Sequence, residues 1–244
     1  MAGHSKFANI RHTKEKNDSI RGKIFTRLGR EIAVSVKQGG ADPAGNSRLR
    51  DAIAKAKSAN MPNDTIERSI KKALGDLNAV DFEPVTYEGY GPNGVAVIVE
   101  VLTDNRNRAA ANVRNAFTKG NGNMGTSGCV AFQFDKKGLV MVEKSSAVDE
   151  DELMLLALDA GAEDFVAQEE GYEITTTPEA FSQVREAVEQ AGIPMLNAEV
   201  TLLPHTTTTL TDPLDIKKMR KLLDLLDEED DVQDVYHNGE WEEA

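Results

Sequence analysis

The spacing of apolar residues changes near residue 80, and this change strongly limits how the chain can fold. Up to Gly75 the large apolar side chains recur every three or four positions, in three segments. After residue 81 the apolar residues fall into short alternating or continuous runs, beginning with Val85 to Tyr90. The first pattern is typical of amphipathic helices and the second of strands. The sequence therefore predicts an α+β protein with an N-terminal three-helix domain.

Capping residues and breakers set the bounds of the three helices. The first is predicted to begin after Ser19 and to end at Gly39-Gly40, and the second covers residues 47–59. The third begins with Pro62, which is favourable in a first helical turn, and ends at Gly75. Three short amphipathic helices can share one small core.

The order of elements after residue 81 suggests two related α+β domains. Residues 139–203 read as strand, helix, strand, strand, helix and strand, which is the order of a ferredoxin-like unit. The strands before residue 138, among them Cys129 to Phe134 with a closing turn at Asp135 to Gly138, combine with residues 204–244 into a second such unit. The predicted domains are residues 1–80, residues 81–137 plus 204–244, and residues 138–203 inserted between them.

The distribution of charged residues also changes near residue 80. Residues 1–80 contain 16 Lys and Arg against 8 Asp and Glu, whereas residues 81–244 contain 12 against 33. The first 30 residues alone hold eight basic and two acidic side chains, in a chain whose net charge is −13. A local excess of cations in an acidic protein favours the binding of an anionic polymer at that end. Neutralisation of the acidic remainder in cis is the alternative.

The predicted nucleic-acid site therefore lies in this basic N-terminus. Residues 1–16 form a basic arm with few apolar groups. The first helix carries further cations opposite its apolar stripe, with Arg21 as the exception, and we expect those opposite the stripe to face solvent. The candidate binding residues are His4, Lys6, Phe7, Arg11, His12, Lys14, Lys16, Arg21, Lys23, Arg27 and Arg30.

Two other charged features have open interpretations. The acidic runs at residues 149–152 and 227–231 are either solvated faces or docking sites for a basic partner. Arg106, Arg108 and Arg114 either extend the basic surface or form local caps and ion pairs.

Several classes of site are not expected. The string Gly120 to Gly125 matches GxGxxG, but it follows a helix and precedes a strand, so it is a connection or an anion-binding nest and no dinucleotide site. The single Cys129 and four dispersed histidines offer no metal or redox motif. We expect no cofactor, no metal and no catalytic residue. Apolar runs far shorter than about 20 residues indicate no membrane span, and we expect a cytoplasmic protein.

Several local motifs together resemble the YebC/PmpR family, which includes the mitochondrial translational activator of cytochrome oxidase. They are MAGHSK, EGYGP, DNRNR and VYHN, with SGCVAFQF and RGKIFTRLGREI, and the resemblance extends over essentially the whole chain. It implies three domains, two of them ferredoxin-like. Phe7 departs from the Trp that the family usually has, which keeps an aromatic ring but loses the indole donor.

The resemblance also implies a nucleic-acid-binding regulator of gene expression, described in the family as a DNA-binding transcriptional regulator. The alternative that it implies is a ribosome-associated translation factor that binds rRNA and helps synthesis through proline-rich stretches. A short basic arm suits either partner. The oligomeric state is left open, with a monomer favoured.

Overall fold

The computed structural model describes residues 21–75, 82–145 and 148–241. Seven α-helices lie in these ranges: α1 (Arg21–Gly39), α2 (Ser47–Ser58), α3 (Asn63–Gly75), α4 (Arg106–Lys119), α5 (Glu150–Asp159), α6 (Phe181–Gln190) and α7 (Pro213–Glu228). The strands in the same ranges are β1 (Glu83–Tyr90), β2 (Ala96–Thr103), β3 (Asn123–Met124), β4 (Phe134–Glu143), β5 (Asp164–Ala167), β6 (Gly171–Thr176), β7 (Met195–Pro204), β8 (Thr208–Thr209), β9 (Val232–His237) and β10 (Gly239–Glu240).

The described chain divides into two compact units. We call Asp135–Leu203 the inserted unit, and the described parts of Ile20–Phe134 and Pro204–Ala244 the main unit. The predicted α+β class, with helices first and ferredoxin-like units after them, is confirmed. The three-domain bounds given above stay a prediction.

The inserted unit has the predicted order of strands and helices. Its sheet runs β5-β6-β4-β7, with β6 antiparallel to both β5 and β4. Numbered along the chain, these are the second, third, first and fourth strands. Helices α5 and α6 contribute Leu153, Ala157, Val184 and Val188 to a core against Val140 and other strand residues.

The larger sheet of the main unit reaches the same spatial plan by a different chain order. It runs β3-β1-β2-β9, and all the neighbouring pairs are antiparallel. The two sheets match if β2 is counted as the first strand of the ferredoxin-like plan. Helix α4 then connects β2 to β3, the second strand, and α7 precedes β9, the fourth strand. The position of the third strand is taken by β1. The strand that comes third in the inserted unit therefore comes first here, joined to β2 by a hairpin. This rearrangement places α4 and α7 over one face, where Phe117 and Leu222 are fully buried.

The three N-terminal helices pack around their own core, as the periodicity predicts. Leu28, Ile32 and Val36 of α1 lie against Leu49 of α2 and Ile66 of α3. Asn46, which is buried, joins the first two helices because its amide donates to the Ser35 and Gly40 carbonyls, while its oxygen accepts from the Leu49 N–H at the start of α2. A polar residue here satisfies helix ends that water does not reach.

One predicted strand and one predicted turn are wrong. Cys129 to Gln133 do not form a strand, because the N–H groups of Val130 and Ala131 bond the Glu88 carboxylate, and Ala131–Gln133 is a short 3-10 helix. Asp135 to Gly138 form no turn but lie within β4. Gly138 is required there for close packing, since a Cβ would collide with Thr176 and Phe181.

Candidate nucleic-acid interface

The predicted site residues fall partly outside the described residues. His4, Lys6, Phe7, Arg11, His12, Lys14 and Lys16 lie there, and Arg21 begins α1 with a side chain that is also outside. Lys23, Arg27 and Arg30 remain, on one face of α1. Their surroundings can therefore be compared directly with the sequence-based expectation.

These three side chains contact the C-terminal end of α7 and the residues just after it. The Lys23 ammonium donates to the Glu228 carbonyl at 3.0 Å, and Arg27 pairs with the Asp227 carboxylate at 2.8 Å while also bonding the Asp227 carbonyl. Arg30 donates to the Asp230 carbonyl at 2.7 Å and to the Asp231 carboxylate at 3.0 Å. The expectation that these cations face solvent is therefore wrong for the arginines, whose side chains are each only 17% exposed.

The location of these contacts has an electrostatic cause. The last carbonyls of a helix lack intrahelical partners and carry partial negative charge, and α7 adds acidic side chains to that end. Cations from α1 satisfy the carbonyls and offset the charge. For the acidic run at residues 227–231, the structure thus provides a basic partner within the same chain.

Asp231 is the most connected carboxylate of this region. Besides Arg30, it accepts hydrogen bonds from the Thr103 hydroxyl at 2.8 Å and from Arg108 at 3.0 Å. Burial alone would raise the pKa of Asp231, but the hydrogen bonds from Thr103, Arg108 and Arg30 outweigh it and lower the pKa below its ordinary value. The carboxylate thereby joins α1, β2 and α4 around the start of β9.

A second group of cations on the helices is differently placed. Lys57 at the end of α2 and Arg68 and Lys72 of α3 are exposed, and within residues 21–75, 82–145 and 148–241 they have no ion-pair partner. We call these three the outer cations. None of the three is among the binding residues predicted from the sequence, although Arg68 and Lys72 lie four residues apart and opposite the apolar side of α3. A helical projection of α3 contains that signal.

The arginines at the start of α4 are explained by local contacts. Asn105 caps the helix by accepting from the Arg108 N–H, Arg106 pairs with Glu83 at 3.3 Å, and Arg108 pairs with Asp104 and Asp231. Of the two interpretations given above, capping and ion pairing therefore fit Arg106 and Arg108.

The glycine-rich segment after α4 is a packed connection. It contains β3, which pairs with β1, and a Cβ on Gly120 would collide with Leu222. Farther along, three N–H groups converge as in an anion-binding nest, but they donate to the Glu88 carboxylate, at 2.6 Å from Gly128, 2.9 Å from Val130 and 2.8 Å from Ala131. Burial would raise the pKa of Glu88, yet these three bonds outweigh it and lower the pKa. The nest is filled by the protein's own carboxylate and has no place for a phosphate.

No group of three or more His, Cys, Asp and Glu side chains among the described residues is arranged to hold a metal ion. No helix in the same part of the chain is long and apolar enough to cross a membrane.

Comparison with known families matches nearly the whole chain. Residues 5–76 match the TACO1/YebC protein N-terminal domain, and residues 82–239 match the TACO1/YebC second and third domain. The boundary between the two matches coincides with the change of periodicity near residue 80.

Relatives and a solved structure agree with this match. Proteins named "Probable transcriptional regulatory protein" from Lachnoclostridium phytofermentans and Acetivibrio thermocellus are each 62% identical to the chain, over 100% of both chains and 98% of both chains respectively. The crystal structure of a conserved hypothetical protein from Aquifex aeolicus has a TM-score of 0.82 and 47% identity, and the match covers 93% of each chain.

Proposed function

The chain belongs to the TACO1/YebC family, and on this premise we propose that it is a nucleic-acid-binding regulator of gene expression, a DNA-binding transcriptional regulatory protein of the cytoplasm. Its relatives at 62% identity are named as probable transcriptional regulatory proteins. The proposal assigns no catalytic residue and no cofactor. Nucleic acid is bound through its phosphates, and binding is confined to the N-terminal helices and the arm before them.

The observation that carries this proposal is the set of outer cations. Lys57, Arg68 and Lys72 are exposed and lack acidic partners among the described residues, in a protein whose remaining surface is strongly acidic. Cations that have no acidic partner in the free protein are available for phosphate contacts. The acidic remainder repels the same ligand and so limits it to one face.

The arm is proposed to extend this surface. Lys6, Arg11, Lys14 and Lys16 supply further charge, His4 and His12 supply polar contacts, and Phe7 supplies a ring that can stack on a base. Arg21 continues the arm into α1. Four phosphate contacts on duplex DNA correspond to a slope of log K against log salt of about −3.6.

Lys23, Arg27 and Arg30 enter the proposal as exchangeable contacts. Each bonds α7 or the residues just after it, but phosphate oxygens can accept the hydrogen bonds that the Asp227 and Glu228 carbonyls accept here. Nucleic acid would therefore compete with residues 227–231 for these side chains. Arg27 is the most readily exchanged of the arginines, because its partner Asp227 is 51% exposed.

The alternative partner is ribosomal RNA, bound by a ribosome-associated translation factor that helps synthesis through proline-rich stretches. The composition of the arm favours this alternative, since short basic segments with glycine and one aromatic residue suit irregular RNA surfaces. The same cations would serve either ligand, so the choice between them is made by experiment.

The test is to replace Lys6, Arg11, Lys14 and Lys16 together by Ala and to measure binding to duplex DNA and to rRNA fragments at several salt concentrations. We expect weaker binding and a salt slope that is less steep by about 3.6 on duplex DNA. The matched control replaces four exposed lysines outside the N-terminal helices, Lys119, Lys136, Lys217 and Lys221, which changes the net charge equally. Equal loss in both variants would contradict a specific role of the arm.

Gel shifts and sedimentation separate the two partners. A preference for promoter fragments that survives excess competitor DNA supports transcriptional regulation. Co-sedimentation with ribosomes during active translation, without any such preference, supports the RNA alternative.

A further inference from the structure

Helix α5 of the inserted unit has apolar residues on two sides. Leu153 and Ala157 are buried in the core of the unit, as the inner side of an amphipathic helix requires. On the outer side Leu155 is 59% exposed and Leu158 is 44% exposed. Side chains three positions apart are neighbours on a helix surface. A helix that is apolar on two sides is typical of one covered from both directions.

The other exposed leucines of helices are arranged differently. Leu74 lies in the last turn of α3 and Leu214 in the first turn of α7, and each is a single leucine at a helix end. Isolated exposed leucines are ordinary on protein surfaces and need no explanation. The pair on α5 lies within the helix, where both side chains can be covered by one partner.

Acidic side chains surround this pair. Asp151, Glu152 and Asp159 are exposed, and within the described residues they form no ion pair. The inserted unit as a whole holds 16 acidic and 4 basic residues. We call Asp151, Glu152, Leu155, Leu158 and Asp159 the α5 face.

The charge of the α5 face limits what can cover it. Nucleic acid and an anionic membrane surface are repelled by three free carboxylates. A second copy of the chain, related by two-fold symmetry, would bring the same carboxylates together. A basic surface with apolar side chains is attracted by the carboxylates and can bury the leucines.

We propose that the α5 face is a docking site for a basic amphipathic helix of a partner protein. Such a helix carries apolar residues at positions i, i+3 and i+4, which cover Leu155 and Leu158, and flanking lysines or arginines, which meet Asp151, Glu152 and Asp159. Two leucines offer a small apolar area, so the contact is weak and transient, as in many signalling encounters. The inference does not depend on nucleic-acid binding, which uses other residues.

The test uses the full chain and a synthetic 18-residue helical peptide of leucine and lysine with an i, i+3, i+4 apolar pattern. In about 0.15 M salt, where surface charges farther apart than about 8 Å are largely screened, we expect saturable binding by NMR with shifts confined to α5 and its neighbours. Leu155→Gln with Leu158→Gln should weaken binding at least tenfold. The matched control, Leu74→Gln with Leu214→Gln, should change it less than twofold.

Charge variants test the other half of the proposal. Asp151→Asn with Glu152→Gln and Asp159→Asn should weaken binding and reduce its salt dependence. A peptide with glutamate in place of lysine and the same leucines should not bind. Thermal unfolding of each variant, compared with that of the unmodified chain, separates loss of binding from loss of fold.

Three outcomes would overturn the proposal. One is equal peptide binding by the leucine variant, or shifts that map outside α5. Another is a rise in binding of more than fivefold when residues 1–16 are removed, which would identify the chain's own basic segment as the occupant. The third is self-association in sedimentation experiments that the leucine variant abolishes, which would identify a second copy.

Discussion

The cations on the face of α1 and the outer cations of α2 and α3 belong to the same helical segment but differ in what they contact. Lys23, Arg27 and Arg30 contact the end of α7 or the residues just after it, whereas Lys57, Arg68 and Lys72 have no ion-pair partner among the described residues. The two sets are equal in charge. The comparison shows that a local excess of Lys and Arg indicates a positive electrostatic potential. It does not identify which of these side chains are available to a ligand.

The acidic end of α7 accounts for the difference. A helix that ends in acidic residues places like charge at its own negative pole, which is unfavourable unless cations from another element are near. The face of α1 supplies those cations and fastens the helical segment to the rest of the main unit. Arg30 adds a contact with the ring of Phe82, at 4.8 Å from the ring centroid. The α1 set is therefore expected to control stability and the outer set to control binding.

The largest expected effect is on stability, from Asp231→Ala. Removing this buried carboxylate leaves Arg30, Arg108 and the Thr103 hydroxyl without their shared acceptor. We expect the free energy of unfolding to fall by about 3 kcal/mol, as measured in urea, because partly buried charges lose their partner. The control Asp230→Ala removes an exposed side chain and keeps the carbonyl that Arg30 bonds, so it should cost less than about 0.5 kcal/mol. Equal losses would mean that the α1 contact is not held by Asp231.

Lowering the pH should remove part of the stabilisation that Asp231 provides. The folded pKa of Asp231 is lowered, so its contribution is complete above the unfolded value near 3.8 and is lost as the pH falls through the folded pKa. The difference in unfolding free energy between the unmodified chain and Asp231→Ala should therefore narrow below about pH 4. His237, whose burial lowers its pKa to about 4, destabilises both proteins alike as the pH falls from 6.5 and cancels in this difference. A difference independent of pH down to pH 2 would exclude an ionic role for Asp231.

A smaller effect, on binding, is expected when the outer cations are replaced by Gln. Lys57→Gln with Arg68→Gln and Lys72→Gln should weaken duplex DNA binding about tenfold in moderate salt and make the salt slope less steep by about 2.7, because three phosphate contacts are lost. The matched control replaces Lys119, Lys217 and Lys221, which are also exposed. If the control weakens binding as much, net charge and not the outer face determines affinity.

The smallest expected effect is a gain in affinity from Asp227→Asn. The variant breaks an ion pair with Arg27 at 2.8 Å and makes that guanidinium easier to transfer to a phosphate. We expect about twofold tighter binding and a stability loss under about 1 kcal/mol, since exposed pairs contribute little. Glu179→Gln, an exposed change of the same charge in the inserted unit, is the control. No gain beyond that of the control would mean that Arg27 does not exchange.

The elements that the sequence predicted well are those with strong periodicity and clear end signals. Helix α7 begins after Asp212, which accepts from the Leu214 N–H, and α4 begins after Asn105 in the same way. The segment from Cys129 to Gln133 was mispredicted because its alternation matches a strand, while N–H groups in and just before it bond a carboxylate 40 or more residues earlier. Local patterns contain no information about a partner so far away in the chain.

For the candidate site, the sequence located the basic segment but not the state of its side chains. Its excess charge is a property of composition, whereas the pairing of Arg27 and Arg30 depends on residues about 200 positions later. Arg68 and Lys72 could have been found from the helical projection of α3, but their lack of an ion-pair partner could not. Exposure and pairing are properties of the folded chain.

The sequence by itself determined the fold class, the order of elements and the separation of a basic helical segment from an acidic remainder. These follow from hydrophobic periodicity, capping residues and charge counts, which act over a few neighbouring positions. Only the tertiary structure decided three features. The larger sheet runs β3-β1-β2-β9, with the same spatial plan as the sheet of the inserted unit. The Glu88 carboxylate fills the nest of N–H groups, and the end of α7 bonds cations of α1. Each of these depends on hydrogen bonds and ion pairs between groups brought together by folding, whose energies are set by distance and burial and not by position in the chain.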